Sequence, residues 1–253
     1  MTDRRTGEGG VLCIAHRGDP LSLRENTVEA ISSAIDAGAD VVEIDVKTSS
    51  DGVSIVLHDD SLSRLWGVDR DIRTMTAAEV AEVGGAPRDV GGGPADPRIP
   101  TLEEVLGLFV GTSTAVLIDL DSGEWATAAR LAVRDAVEAG HLRGSQVIWC
   151  GDTDGMREVR SADPVARIFL SWGEQARSGP PGDELVEALR PEAFNPHWRS
   201  VEAGGLDWAR SKGLALSCWT VDDPEVMRRL VDGGVNALIS NRIHDLLEVV
   251  HNG

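Results

Sequence analysis

Short apolar runs alternate with helical segments along almost the whole chain, and this alternation limits the fold more than any other feature of the sequence. Val11 to Ala15, Val41 to Val46, Ala115 to Asp119, Gln146 to Cys150, Ala166 to Leu170, Leu214 to Thr220 and Ala237 to Ser240 read as strands. Their near-continuous apolar character suits a parallel sheet covered on both faces. Val53 to Leu57 and Ala193-Phe194 are weaker candidates and bring the number to nine. The helices between them carry their own punctuation. Asn26-Thr27 opens one, with Glu29 placed to complete a capping box and Gly38 to end it. Val28, Ile31 and Ile35 recur in it at helical spacing. Thr101 with Glu104 opens a second. Glu124 to Ala139 and Asp154 to Ser161 follow, and Asp223-Pro224 opens another that ends at Gly233.

Repeated over most of 253 residues, the alternation predicts an α/β fold, a closed (β/α)8 TIM barrel forming a single domain. An open doubly wound sheet is the alternative, but no Gly-rich nucleotide fingerprint follows the first strand. Such a barrel needs eight strands, so one of the two weaker candidates is surplus. Val53 to Leu57 follows Val41 to Val46 through Ser50-Asp51-Gly52, a link too short for a helical crossover. The pair is either a hairpin or a local irregularity. Residues 60 to 98 then break the rhythm, with a short helical piece (Thr76 to Val83) and the Gly/Pro-rich tract Gly84 to Pro97. They read as a small insertion over one end of the fold. Met1 to Gly10 is polar and reads as a flexible tail.

A formal charge of −18, from 42 acidic and 24 basic residues, repels nucleic acid and anionic membrane surfaces. The expected partner is a small molecule, without nucleic acid and without stable membrane association; the oligomeric state stays open. An anionic substrate must then be met by a few well-placed cations. Cys13, Cys150 and Cys218 lie in apolar runs at wide spacing, as buried thiols of a reducing compartment do. With no apolar leader or spanning segment, a cytoplasmic location is expected.

Glu43 and Asp45 interrupt a run that should be buried, and in a strand they share one face. Two carboxylates turned into a barrel are costly unless compensated. A divalent cation with oxygen ligands compensates them; salt bridges near the rim are the other reading. Lys47 continues the same face. Asp119 and Asp121 repeat the alternating pattern, and Asp119, which ends its apolar run, is the better third ligand. His16 and Arg17 follow the first strand, where functional groups of a barrel gather, and Gly18 lets the backbone turn. His58, with Asp59 and Asp60 after it, lies roughly across from Glu43 if residues 41 to 58 form a hairpin. His141, His197, His244 and His251 read as loop or tail residues, although His197 follows a strand and could line a pocket. Trp219 serves either as an apolar substrate wall or as rim packing.

In order and spacing, these segments resemble the glycerophosphodiester phosphodiesterase family. The likeness rests on Ala15-His16-Arg17-Gly18, Glu25-Asn26-Thr27, Gly38-Ala39-Asp40, Glu43-Ile44-Asp45-Val46, Asp51-Gly52 and Leu57-His58-Asp59. Arg64, Ile99 to Glu104, Trp219-Thr220-Val221 and Gly233-Gly234-Val235 extend it along the chain. The resemblance implies hydrolysis of a glycerophosphodiester to glycerol phosphate and an alcohol. It implies one divalent cation, magnesium or calcium, on Glu43, Asp45 and Asp119, with His16 and His58 as acid-base pair. Arg17 would grip the phosphate, and Glu25 and Asn26 would support the first loop. There are three departures. Asp119-Leu120-Asp121 stands where Glu-x-Lys is usual, Arg24 where proline is common, and Ser240-Asn241-Arg242 in place of Thr-Asp. At Asp121 a phosphate-binding lysine has become an acid, for which Lys47, Arg73 or Arg167 are candidate substitutes. Action on a different phosphoester, and a non-catalytic phosphate-binding barrel, remain open beside hydrolysis.

Overall fold

The structure, a computed structural model, describes residues 10–84, 97–173 and 179–251. The expected tail therefore lies outside the described residues, apart from Gly10, as does 85–96 of the Gly/Pro-rich tract. Nine strands follow in chain order: β1 (Leu12–His16), β2 (Val41–Thr48), β3 (Ser54–Val56), β4 (Ala115–Leu120), β5 (Val147–Gly151), β6 (Arg167–Trp172), β7 (Ala193–Pro196), β8 (Ala215–Cys218) and β9 (Ala237–Ser240). Eight of them are parallel neighbours in the order β1-β9-β8-β7-β6-β5-β4-β2, and β1 pairs with β2 to close the barrel. The surplus strand is β3. It runs antiparallel to the upper part of β2, with Val46 opposite Val56 and Lys47 opposite Ile55. The weakly signalled Ala193-Phe194 is instead a full member, paired with both β6 and β8. Strand and helix alternate as expected from the sequence.

The period of two in each strand sorts the side chains. Ile14, Val41, Leu117, Ile148, Phe169 and Ala193 fill the barrel, whereas Val42, Ile44, Val116 and Ile118 pack outward under the helices. Along β2 the inward positions are thus Val41, Glu43, Asp45 and Lys47. The strand passes from apolar core to charged mouth within a few residues.

Helix α1 (Val28–Ala37) starts one residue later than the capping-box reading requires. Its cap is Thr27, whose hydroxyl accepts from the Ala30 N–H. The box position is therefore an alanine, and Glu29 stays exposed. Asn26 does not cap because its amide is drawn to Asp45. Gly38 ends the helix as expected, with φ of 95° and its N–H shared between the carbonyls of Ala34 and Ile35. The box at Thr101 and Glu104 does form, on a short helix Leu102–Leu106. The long fourth-strand crossover helix begins at Ala126, after a 3-10 turn over Gly123–Trp125. Asp223 caps Pro224–Asp232, and the chain ends in a helix Ile243–His251 that carries His244 and His251. Those two histidines are therefore helical, not part of a loose tail.

The insertion holds three short pieces, Ser63–Trp66, Ile72–Thr74 and Ala77–Ala81. It has its own small core, in which Leu62, Ile72, Met75 and Val80 close over Ile55 and Leu57. β3 is the hinge between that cluster and the barrel. The insertion is thereby fixed over the C-terminal ends of the strands, the functional end of this architecture.

Gly18 is the closest approach of the first loop to α1. At φ +86° a Cβ there would sit 2.6 Å from the Ala30 carbonyl carbon, whereas at Gly38, also at positive φ, it would meet nothing within 4 Å. Left-handed strain alone costs about 1–2 kcal/mol. Gly38→Ala should lose about that much stability in urea unfolding, and Gly18→Ala clearly more, because backbone must also move.

Candidate active site

Strand register assembles the site. β1 and β2 pair with His16 opposite Glu43, and β2 and β4 pair with Asp45 opposite Asp119. Neighbouring parallel strands stand roughly 5 Å apart, so four functional side chains gather over two successive inward positions of β2 at the barrel mouth. Glu43 and Asp45 are 3% and 8% exposed, and Asp119 is half-buried. One carboxylate oxygen from each of the three lies within 4.8 Å of the others. Burial, then the charges of Asp45 and Asp119, push Glu43 well above the usual carboxylate range. Burial and the neighbouring Asp45 and Asp121 charges push Asp119 up to about 7. Three like charges so placed, all on oxygen, are the donor set a hard divalent cation takes. Among the described residues, no other group of His, Cys, Asp or Glu offers such a cluster.

The first loop wraps this trio. Arg17 and Asn26 both have positive φ, 58° and 57°, a conformation that side chains other than glycine adopt rarely and at functional sites. The Arg17 N–H compensates by donating to both the carbonyl (2.9 Å) and Oε2 (3.0 Å) of Glu43. Asn26 donates from Nδ2 to Asp45 Oδ2 at 2.8 Å and accepts from the Asp45 N–H. The Arg17 guanidinium lies over the cluster, with Nε 3.1 Å from Asp45 Oδ2. That contact is off the hydrogen-bond direction, and Nε has no other partner. Its Nη1 donates to Glu25 at 2.9 Å. One cation against three carboxylates leaves the centre negative.

His16 stands at the edge of the trio, Nε2 3.9 Å from Glu43 Oε2. Burial and the nearby Arg17 lower its pKa against the opposing pull of Asp45. His58 lies two residues beyond β3, and the intervening Leu57 N–H donates to the Asp45 carbonyl at 3.0 Å, so it does lie beside the upper end of β2. Its Nδ1 meets Asp59 at 2.6 Å. Arg64 donates to both Asp59 and Glu25, at 2.5 and 2.7 Å. His58, Asp59, Arg64, Glu25 and Arg17 thus form one chain of polar contacts from the insertion to the first loop. Arg64 matters more than its sequence suggested. Its partner Glu25 is 39 residues away, a separation that no local pattern reveals.

One layer further out, Lys47 and Asp121 form a direct ion pair, and Asp60 accepts from the same ammonium at 3.0 Å. Lys47 is only 2% exposed. Burial opposes its charge, but Asp121 and Asp60 together outweigh burial and its pKa rises. Trp125 Nε1 holds the other oxygen of Asp121 at 2.9 Å. Of the three candidate substitutes for the absent lysine, Lys47 is the one at the site. Arg73 pairs with Asp71 and only reaches Asp60 at 4.0 Å. Arg167 begins β6 at the opposite end of the barrel, bound to Glu192 and the Ser145 carbonyl. Trp219 is three strands around from β2, its indole N–H on the Asn195 carbonyl and its ring edge-on to His197 at 5.5 Å. It faces the mouth without touching the charged cluster.

A (β/α)8 barrel with a carboxylate trio, an arginine and two histidines at the strand ends has the makings of a metal-assisted phosphoester hydrolase. Comparison with known proteins gives the class. The sequence profile of the Glycerophosphoryl diester phosphodiesterase family matches residues 16–245. The chain belongs to that family, whose members are phosphoric diester hydrolases. A glycerophosphodiester phosphodiesterase of Caldanaerobacter subterraneus is 29% identical, over 96% of this chain and 98% of that one. A Thermotoga maritima glycerophosphodiester phosphodiesterase of known structure is 26% identical with a TM-score of 0.75, covering 96% of this chain and all (100%) of the other. An Oleispira antarctica phosphodiesterase, solved with the product sn-glycerol-3-phosphate, shares the fold at 19% identity and a TM-score of 0.81, covering 95% and 96% of the two chains.

Buried like charge should show as instability when no cation is present. Above the ordinary carboxylate range the raised pKa of Asp119 destabilises the folded state, so Asp119→Asn in chelator at about pH 8 should raise unfolding stability. Saturating divalent cation should then stabilise the wild type and leave the variant nearly unchanged.

Proposed function

We propose that this protein hydrolyses a small glycerophosphodiester to glycerol phosphate and an alcohol, using one oxygen-preferring divalent cation, magnesium or calcium. The observation that carries this reading is the register that sets His16 beside Glu43 and Asp45 beside Asp119. Glu43, Asp45 and Asp119 would hold the cation, which when bound supplies Lewis-acid neutralisation of a phosphate oxygen. Arg17 reaches the same phosphate from the first loop, with Glu25 and Asn26 keeping its unusual backbone in place. Its buried Nε, 3.1 Å from Asp45 Oδ2, keeps the guanidinium charge against the cluster.

His16 and His58 flank that position from β1 and from the end of β3. One takes a proton from the attacking hydroxyl, of water or of the substrate's own glycerol. The other returns a proton to the departing alkoxide as the phosphorus–oxygen bond breaks. Lys47 contributes positive charge at the outer layer, although Asp121 and Asp60 neutralise much of it. Trp219 offers an apolar wall to the alcohol or glycerol portion. Relatives named glycerophosphodiester phosphodiesterases, and a barrel of this fold with bound sn-glycerol-3-phosphate, support the substrate class.

Each proton transfer is worth about 10²–10⁴-fold. Hydrolysis of glycerophosphocholine or glycerophosphoethanolamine, followed by ³¹P NMR, should therefore fall by that factor in His16→Ala and His58→Ala. Full activity in either variant overturns the acid-base pair. Absence of turnover by wild type on every glycerophosphodiester, at any divalent cation, overturns the function.

A further inference from the structure

We infer that Asn241, itself held by Asp222, locks His16 in the tautomer with its proton on Nδ1, and so makes His16 the proton acceptor of the pair. The inference deepens the proposed function and rests on it only for the word acceptor; the tautomer stands on hydrogen-bond direction alone. His16 Nδ1 lies 2.7 Å from Asn241 Oδ1. An amide can be turned to present either end, but here the choice is fixed from behind. Asn241 Nδ2 is 2.8 Å from Asp222 Oδ2, and the Asn241 backbone N–H lies 2.9 Å from Oδ1 of the same carboxylate. Ser240 Oγ donates to that carboxylate as well, at 3.1 Å.

A carboxylate accepts only, so the amide NH₂ must face Asp222. The amide oxygen therefore faces His16. It too accepts only, and the ring nitrogen opposite must carry the hydrogen. In the neutral ring Nε2 is then bare. Among the described residues it has no hydrogen bond: Glu43 Oε2 is 3.9 Å away and is already bound by the Arg17 N–H. A lone pair at the rim of the carboxylate cluster is placed to take a proton from an attacking hydroxyl and is useless as a donor. His58 Nδ1 faces the Asp59 carboxylate, so His58 serves as donor from Nε2 only with both ring nitrogens protonated.

The pair also gives the departure at Asn241 a physical sense. An aspartate there would meet Asp222 across 2.8 Å with no proton between them, so the uncharged amide and the acid behind it are complementary. Exchanging the two residues should preserve the chain, with the amide at 222 donating to a carboxylate at 241 that still accepts from Nδ1. Asn241 and Asp222 are positioning residues, separated from His16 by 225 and 206 positions in sequence.

The test is a long-range ¹H–¹⁵N NMR correlation on ¹⁵N-histidine-labelled protein at about pH 8, where an ordinary imidazole is neutral. The His16 ring is assigned by its disappearance in His16→Gln. Wild type should show a protonated-type Nδ1 and an unprotonated-type Nε2. Asn241→Ala should shift His16 towards the other tautomer and lower kcat by about tenfold or more at unchanged KM. The double exchange Asp222→Asn with Asn241→Asp should keep the wild-type ring pattern, because a carboxylate at 241 still accepts from Nδ1. A wild-type ring protonated on Nε2, or an unaltered ring in Asn241→Ala, overturns the inference. The expected ring pattern in a protein that hydrolyses no glycerophosphodiester would sink the proposed function and leave the tautomer lock intact.

Discussion

Three carboxylates crowded together at the mouth of a barrel are the constraint on which the rest of this structure depends. Among the described residues no side chain neutralises them fully. Arg17 supplies one positive charge and shares it with Glu25. The first loop accepts two left-handed residues in order to bring the Arg17 and Asn26 donors onto Glu43 and Asp45. Such strain persists only where surrounding bonds over-determine it, and here backbone and side-chain bonds to Glu43 and Asp45 do so. The barrel is thus built around a charge defect that a cation would relieve.

The second layer tells a related story about balance. Lys47 on the adjacent strand pairs with Asp121 and Asp60, so the cation of the outer mouth is buried and largely neutralised. The insertion then ties itself to the first loop through Arg64, which bridges Asp59 and Glu25. Because β3 runs antiparallel on β2, the insertion cannot shift without moving His58 relative to Asp45. Positioning of the second histidine is therefore a consequence of hairpin register rather than of loop chemistry.

Much of this was legible in the sequence, for identifiable reasons. The strand Val41–Thr48 announces itself because charged residues at every second position in an apolar run can only point one way. Gly38 and the Thr101–Glu104 box are local signals with local partners. The errors fell where a distant partner decides. Asn26 looks like a helix cap until Asp45, 19 residues on, claims its amide. β7, with four residues, is too short to show periodicity, and is a strand because both neighbours pair with it. Arg167 seemed available until strand direction placed it at the closed end of the barrel. The contact of Asn241 with His16 joins the last strand end to the first, and only barrel closure creates it.

The central claim is that Glu43, Asp45 and Asp119 exist to hold a divalent cation. Anomalous diffraction from crystals soaked in manganese tests it directly. The strongest peak should lie among these three carboxylates, with metal–oxygen distances of about 2.0–2.6 Å. A peak instead in the acidic cleft lined by Asp121, Asp152 and Asp154, or none at saturating manganese, would contradict it.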